Sequence, residues 1–94
     1  MEPKSINGVE QREFLVQNDK FKMICFVFED GKGLPNHTHN GLASIQVVSG
    51  EVMIAFVSGE TFTLHSGDVL GFDARVQHNV ISNGTSKVIV TIVY

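Results

Sequence analysis

Apolar side chains in this sequence recur at every second position, in runs that glycine keeps short. Within 51–57, Val52, Ile54 and Phe56 fall on one face and Met53 and Ala55 on the other. Within 87–94, Val88, Val90 and Ile92 share a face opposite Ile89, Thr91 and Val93. Both runs are rich in β-branched residues, which suit a pleated surface. Similar runs occupy 12–16, 20–29, 44–49, 60–64, 68–72 and 77–82. Nine glycines punctuate the chain, and Ser58-Gly59 and Glu29-Asp30-Gly31-Lys32-Gly33 read as turns. No long stretch carries a helical period. The pattern predicts an all-β chain of about eight short antiparallel strands, closed as a sandwich or barrel.

A chain of 94 residues holds one domain with a thin core. The alternating runs place that domain at 12–94 and leave 1–11 as an N-terminal arm, either loosely held or crossing to a neighbour. Several runs are apolar on both faces. One face fills the interior, and the other needs a cover, so a homodimer is expected. The segments 20–29 and 87–94 are the expected interface.

Charge and composition narrow the partners. Seven Lys+Arg against ten Asp+Glu give a formal charge of −3, which argues against nucleic acid. Uninterrupted apolar runs such as 23–28 are far too short to span a membrane. The opening MEPKSINGVEQREF lacks the apolar stretch of a secretion signal. Cys25 is the only cysteine, so no internal disulfide can form. These features lead us to expect a cytoplasmic protein.

Four histidines remain as candidates for chemistry: His37, His39, His65 and His78. In an extended segment the rings of His37 and His39 point to one side while Thr38 points away. Two imidazoles so placed can chelate one metal ion, although two polar residues at a loop end give the same pattern. Gly33 and Pro35 ahead of them suggest a loop entering a strand. His65 reads as a surface histidine. Cys25 shares a face with Met23 and Val27, which suits core or interface. Phe26, Phe28, Phe56 and Phe72 read as core that also reaches a pocket. No serine sits in a hydrolase motif, and Gly31-Lys32-Gly33 lacks the spacing of a phosphate loop.

Taken in order, Gly31, His37-Thr38-His39, Ala43 and Gly50 follow the spacing of the first cupin motif. Gly67-Asp68 opens a stretch like the second motif, with His78 at its histidine position. The chain from about Lys20 to Tyr94 therefore resembles the cupin superfamily, in particular its small single-domain, RmlC-like, conserved-barrel members. It departs from the motifs at four positions. Ala43 stands where the family has a metal-binding glutamate. Asp73, Arg75 and Ser82 replace a proline, a glycine and an asparagine. Counting back from Gly50, Ala43, Ile45 and Val47 alternate on the glutamate's face. Gln46 points the other way and is not counted as a ligand.

The resemblance implies a jelly-roll β-barrel, or double-stranded β-helix, enclosing Ile45, Val47, Val52, Ile54 and Phe56. It also implies a mononuclear centre held by His37, His39 and His78. Three neutral imidazoles accept Fe, Ni, Zn, Mn or Cu and leave positions open for a small-molecule ligand. Cupin thiol dioxygenases and a diketone-cleaving cupin have similar three-histidine centres. The expected activity is therefore dioxygenase-like or Lewis-acid chemistry on a small organic molecule. No residue stands out as a general base. A non-catalytic small-molecule binder or sensor, and a metal-free dimeric scaffold, are the alternatives.

Overall fold

The structure is a computed structural model that describes residues 2–94. Seven strands succeed one another: β1 (Arg12–Gln17), β2 (Phe21–Phe28), β3 (Gly33–His37), β4 (Leu42–Phe56), β5 (Thr61–His65), β6 (Val69–Asp73) and β7 (His78–Val93). Every pairing is antiparallel. Among the described residues no helix is long and apolar enough to cross a membrane.

Three details differ from the sequence expectation. The runs 44–49 and 51–57 belong to one strand, β4, and 77–82 and 87–94 to another, β7. Gly50 and Gly84 bend these strands instead of ending them, with φ of 90° and 77°. The segment before His37, expected as a loop, is the short strand β3, whose Gly33 and Leu34 pair with Ile81 and Val80 of β7.

Long strands that bend are what give a small chain two facing layers. The first half of β4 pairs with the second half of β7, flanked by β6 on one side and by β2 and β1 on the other. The second half of β4 pairs with the first half of β7, flanked by β5 and β3. This is the jelly roll expected from the sequence.

Around Gly50 the register of β4 slips against β7, between Val47 and Ser49 and again between Ser49 and Glu51. Such bulges turn a strand and shift its inward face. The buried side passes from Ala43, Ile45 and Val47 to Val52 and Ile54, so both halves of β4 fill the interior. Of the five residues expected inside, four are fully buried, and Phe56 is half-buried against the same cluster. Burying each such aliphatic side chain contributes roughly 1.5–3 kcal/mol. Val88, Val90 and Ile92 of β7 complete the core from the opposite strand.

The arm ahead of β1 is tied to the barrel. Val9 is buried. Lys87 Nζ donates a 2.6 Å hydrogen bond to the Ile6 carbonyl, and the Val27 N–H donates to the Gln11 carbonyl at 2.8 Å. The arm thereby crosses the outward face of β2 and β7. Cys25, fully buried on that face, lies opposite Ile89.

Candidate functional site

His37, the last residue of β3, stands directly across from His78, the first residue of β7. Opposed residues on antiparallel strands hold their side chains a few ångströms apart, and these two ring centroids are 4.4 Å apart. His39 reaches the site differently from the sequence reading. β3 ends at His37, so no shared pleat aligns the two rings. The loop does so instead. The His39 N–H donates to the Ala74 carbonyl at 2.9 Å, and the Ala74 N–H donates to the Gly41 carbonyl at 3.0 Å. The His39 ring then stands edge-on to His37, 5.0 Å away at 77°.

Backbone carbonyls set the proton positions on two of the rings. His37 Nδ1 lies 2.6 Å from the Pro35 carbonyl, and His78 Nδ1 lies 2.7 Å from that of Val76. A carbonyl only accepts, so each Nδ1 carries a proton, and in the neutral ring Nε2 is then the nitrogen with the lone pair. Metal-binding histidines usually show this arrangement, with the far nitrogen anchored to a carbonyl or carboxylate. No hydrogen bond among the described residues engages the His39 ring. Burial, together with the nearby His37, Lys22 and His78, lowers the His39 pKa. Burial also lowers that of His78, partly offset by its bond to Val76. Both effects favour the neutral ring that a metal needs. In the conformation described, however, no three His, Cys, Asp or Glu side chains among the described residues are arranged to hold an ion. The donor chemistry fits a metal, whereas closing on one requires the rings to turn.

Aromatic side chains wall the site on the β7 side. Phe72 lies 4.9 Å and Phe56 5.7 Å from the His78 ring, centroid to centroid. Phe56 is also the cross-strand partner of His78. On the other side a cavity of about 240 Å³ opens against His37 and His39. β1 contributes Arg12 and Phe14 to it, and β2 contributes Lys22, Ile24 and Phe26. Leu34, Val90 and Ile92 form its apolar floor. Ala43, at the family's glutamate position, is buried between Phe72 and Ile92 in register, and so lies between the two walls.

The remaining candidates lie elsewhere. His65 is exposed at the end of β5, with Nε2 2.9 Å from Glu51 Oε1. Gln46 is exposed on the outward face of β4. Burial pushes the Cys25 thiol up, which suits a structural cysteine. Ser82 is buried, with Oγ 2.6 Å from both the Gly84 carbonyl and Ser86 Oγ, so it holds the β7 bend. Nothing in the sequence pattern singles out Arg12, Phe14, Lys22 or Leu34. Lys22 does share the alternation of Ile24, Phe26 and Phe28, but periodicity alone cannot place β1 and β2 beside the histidines.

The cupin domain model matches residues 25–94. No curated protein matches the sequence. Among solved structures, the chain is similar to an RmlC-like cupin protein from Desulfovibrio desulfuricans, with TM-score 0.86 and 26% identity over 99% of this chain and 96% of that one. It is also similar to a cupin superfamily protein from Desulfitobacterium hafniense, with TM-score 0.84 and 22% identity over 96% and 82% of the two chains. An RmlC-like cupin family protein with a double-stranded β-helix fold, from Methanocaldococcus jannaschii, superposes with TM-score 0.84 at 13% identity over 99% and 89%. The last two likenesses speak for the fold alone.

Proposed function

The chain belongs to the cupin family, and from that premise we propose that it is a small metal-binding cupin acting on a small organic molecule. His37, His39 and His78 hold a divalent transition ion: iron, nickel, zinc, manganese or copper. The observation that carries this reading is how the rings are anchored. Two of three clustered imidazoles are anchored through Nδ1 to carbonyls, which leaves Nε2 as the donor atom. His39, whose ring no hydrogen bond among the described residues holds, is free to turn toward them.

When bound, such an ion supplies Lewis-acid or dioxygen chemistry, so the activity proposed is that of a dioxygenase-like oxidoreductase. The chain's own residues do the rest. Phe56 and Phe72 pack on His78, excluding water and fixing its ring. The cavity beside His37 and His39 receives the organic molecule. Among the described residues no carboxylate lines that cavity, and an imidazole that holds an ion has no lone pair left to accept a proton, so neither kind of base stands beside the bound molecule. A cytoplasmic location suits the unpaired Cys25.

A second reading, a metal-free small-molecule binder or sensor, is favoured by Ala43 and by the incomplete convergence of the rings. Elemental analysis of protein purified without chelator decides between the two. The metal reading expects a stoichiometric transition ion that is lost in His78→Ala and kept in His65→Ala. Protein that carries no ion and takes up none from Fe(II), Ni(II) or Zn(II) overturns the metal reading and leaves the metal-free binder, sensor or scaffold.

A further inference from the structure

The cavity beside His37 and His39 carries a charge that the chain as a whole does not. The sequence totals −3, yet the ionisable side chains lining this cavity, apart from the histidines, are Arg12 and Lys22, and no acid lines it. Among the described residues neither cation has a carboxylate within salt-bridge distance, whereas Lys4 is paired with Glu13 and Arg75 with Asp73. Arg12 is held over the Phe14 ring, 5.6 Å from its centroid, within the range at which an arginine is attracted to an aromatic face. Lys22 lines the same cavity as His39. The two cations stand on adjacent strands, where Arg12 pairs with Phe26 and Phe14 with Ile24.

Unpaired cations at the edge of a low-dielectric pocket attract anions, and an arginine fork suits the two oxygens of a carboxylate. Below the cations the lining is hydrocarbon: Phe14, Ile24, Phe26, Leu34, Val90 and Ile92. At the roughly 30 Å³ that a water occupies in the liquid, the cavity of about 240 Å³ has room for a ligand on the order of ten non-hydrogen atoms. We propose that this pocket binds a small carboxylic acid with a compact apolar body, its carboxylate held by Arg12 and Lys22 and its body lying on Phe14 and Phe26. This names the substrate class and rests on the reading of the cavity as the ligand site.

The test uses chelator-treated protein, so that it does not depend on the metal. Phenylacetate is titrated calorimetrically against its uncharged counterpart phenylacetamide. Phenylacetate should bind at least roughly tenfold more tightly, as expected when the charge-assisted contacts are lost. Arg12→Gln and Lys22→Gln should each weaken phenylacetate roughly tenfold and leave phenylacetamide unchanged. Lys20→Gln, at an exposed turn away from the cavity, should match the wild type. Equal affinity for acid and amide, full affinity in either cavity variant, or no phenylacetate binding at millimolar concentration overturns the proposal. If a stoichiometric metal is found without this preference, only the ligand assignment fails. If the preference is found without a metal, only the metal reading fails.

Discussion

At the residue scale, the histidines join the site to the stability of the fold. His39 and His78 have pKa values below the ordinary 6.5, in both cases chiefly because burial disfavours the charged ring. Between those lowered values and 6.5 the unfolded chain binds more protons than the folded one. The stability they confer is complete above pH 6.5 and is lost as pH falls through their folded pKa values. Asp73 acts in a separate window. Its bonds to Arg75 hold its carboxyl down to about 2, so its small, exposed contribution fades only below about pH 4. Urea unfolding in the presence of a chelator should therefore show the midpoint falling from pH 7 to pH 5. His78→Phe should flatten much of that fall, because phenylalanine suits Phe56 and Phe72 and takes up no proton. That variant should also be about 1 kcal/mol less stable at pH 7, since it leaves the Val76 carbonyl without its donor. An unchanged slope in His78→Phe would mean that the acid sensitivity arises elsewhere.

At the scale of elements, the bends of β4 and β7 decide whether the barrel closes. Gly50 has φ of 90°, and a Cβ there would lie 2.5 Å from the Thr85 carbonyl oxygen and 2.6 Å from Ser86 Oγ. Ser86 is itself engaged: its Oγ accepts from the Glu51 N–H at 3.1 Å and lies 2.9 Å from the Glu51 carbonyl. Neither the backbone nor the bonded hydroxyl can move aside cheaply. Gly50→Ala should therefore cost about 2–3 kcal/mol, measured by chemical denaturation. Gly59→Ala is a useful contrast. It shares the positive φ, but nothing lies near its added Cβ, so it bears the backbone strain without the clash and should cost less. Equal losses in the two variants would show that crowding at the bend contributes nothing. Ser82, at the family's asparagine position, serves the matching bend of β7, so that departure from the motif alters the bonding of a turn and leaves the histidine site intact.

At the scale of the whole molecule, the second apolar face still needs a cover. Part of it is taken by the chain's own arm, through Val9 and the Lys87–Ile6 bond. Beyond the arm, Phe21, Val93 and Leu42 line up across β2, β7 and β4. Leu42 is 59% and Val93 50% exposed, and Tyr94 follows at 57%. A second copy meeting this stripe should bury more than the roughly 1,000 Å² of a specific interface. Sedimentation equilibrium at micromolar concentration should give a dimer, and Val93→Lys should shift it toward monomer by burying a charge. A wild-type monomer at that concentration would remove the homodimer expectation and leave the stripe as exposed surface.

Alternation along the chain determined the strand class and the inward residues. Val88, Val90 and Ile92 were legible because a strand's side chains alternate whatever surrounds it. Motif spacing marked His37, His39 and His78 as a set, because in this fold the positions that meet are fixed in order along the chain. Tertiary structure alone decided the rest. Whether Gly50 and Gly84 end a strand or bend it depends on the partner: β4 and β7 stay hydrogen-bonded across both glycines, which no local pattern records. His39 is brought to His37 by a loop bonded to Ala74, not by the pleat. Arg12 and Lys22 come to the histidines only because β2, with β1 at its outer edge, pairs with β7, a pairing between residues far apart in sequence. Local periodicity is set by backbone sterics within a few residues, whereas a pocket is set by which distant strands meet.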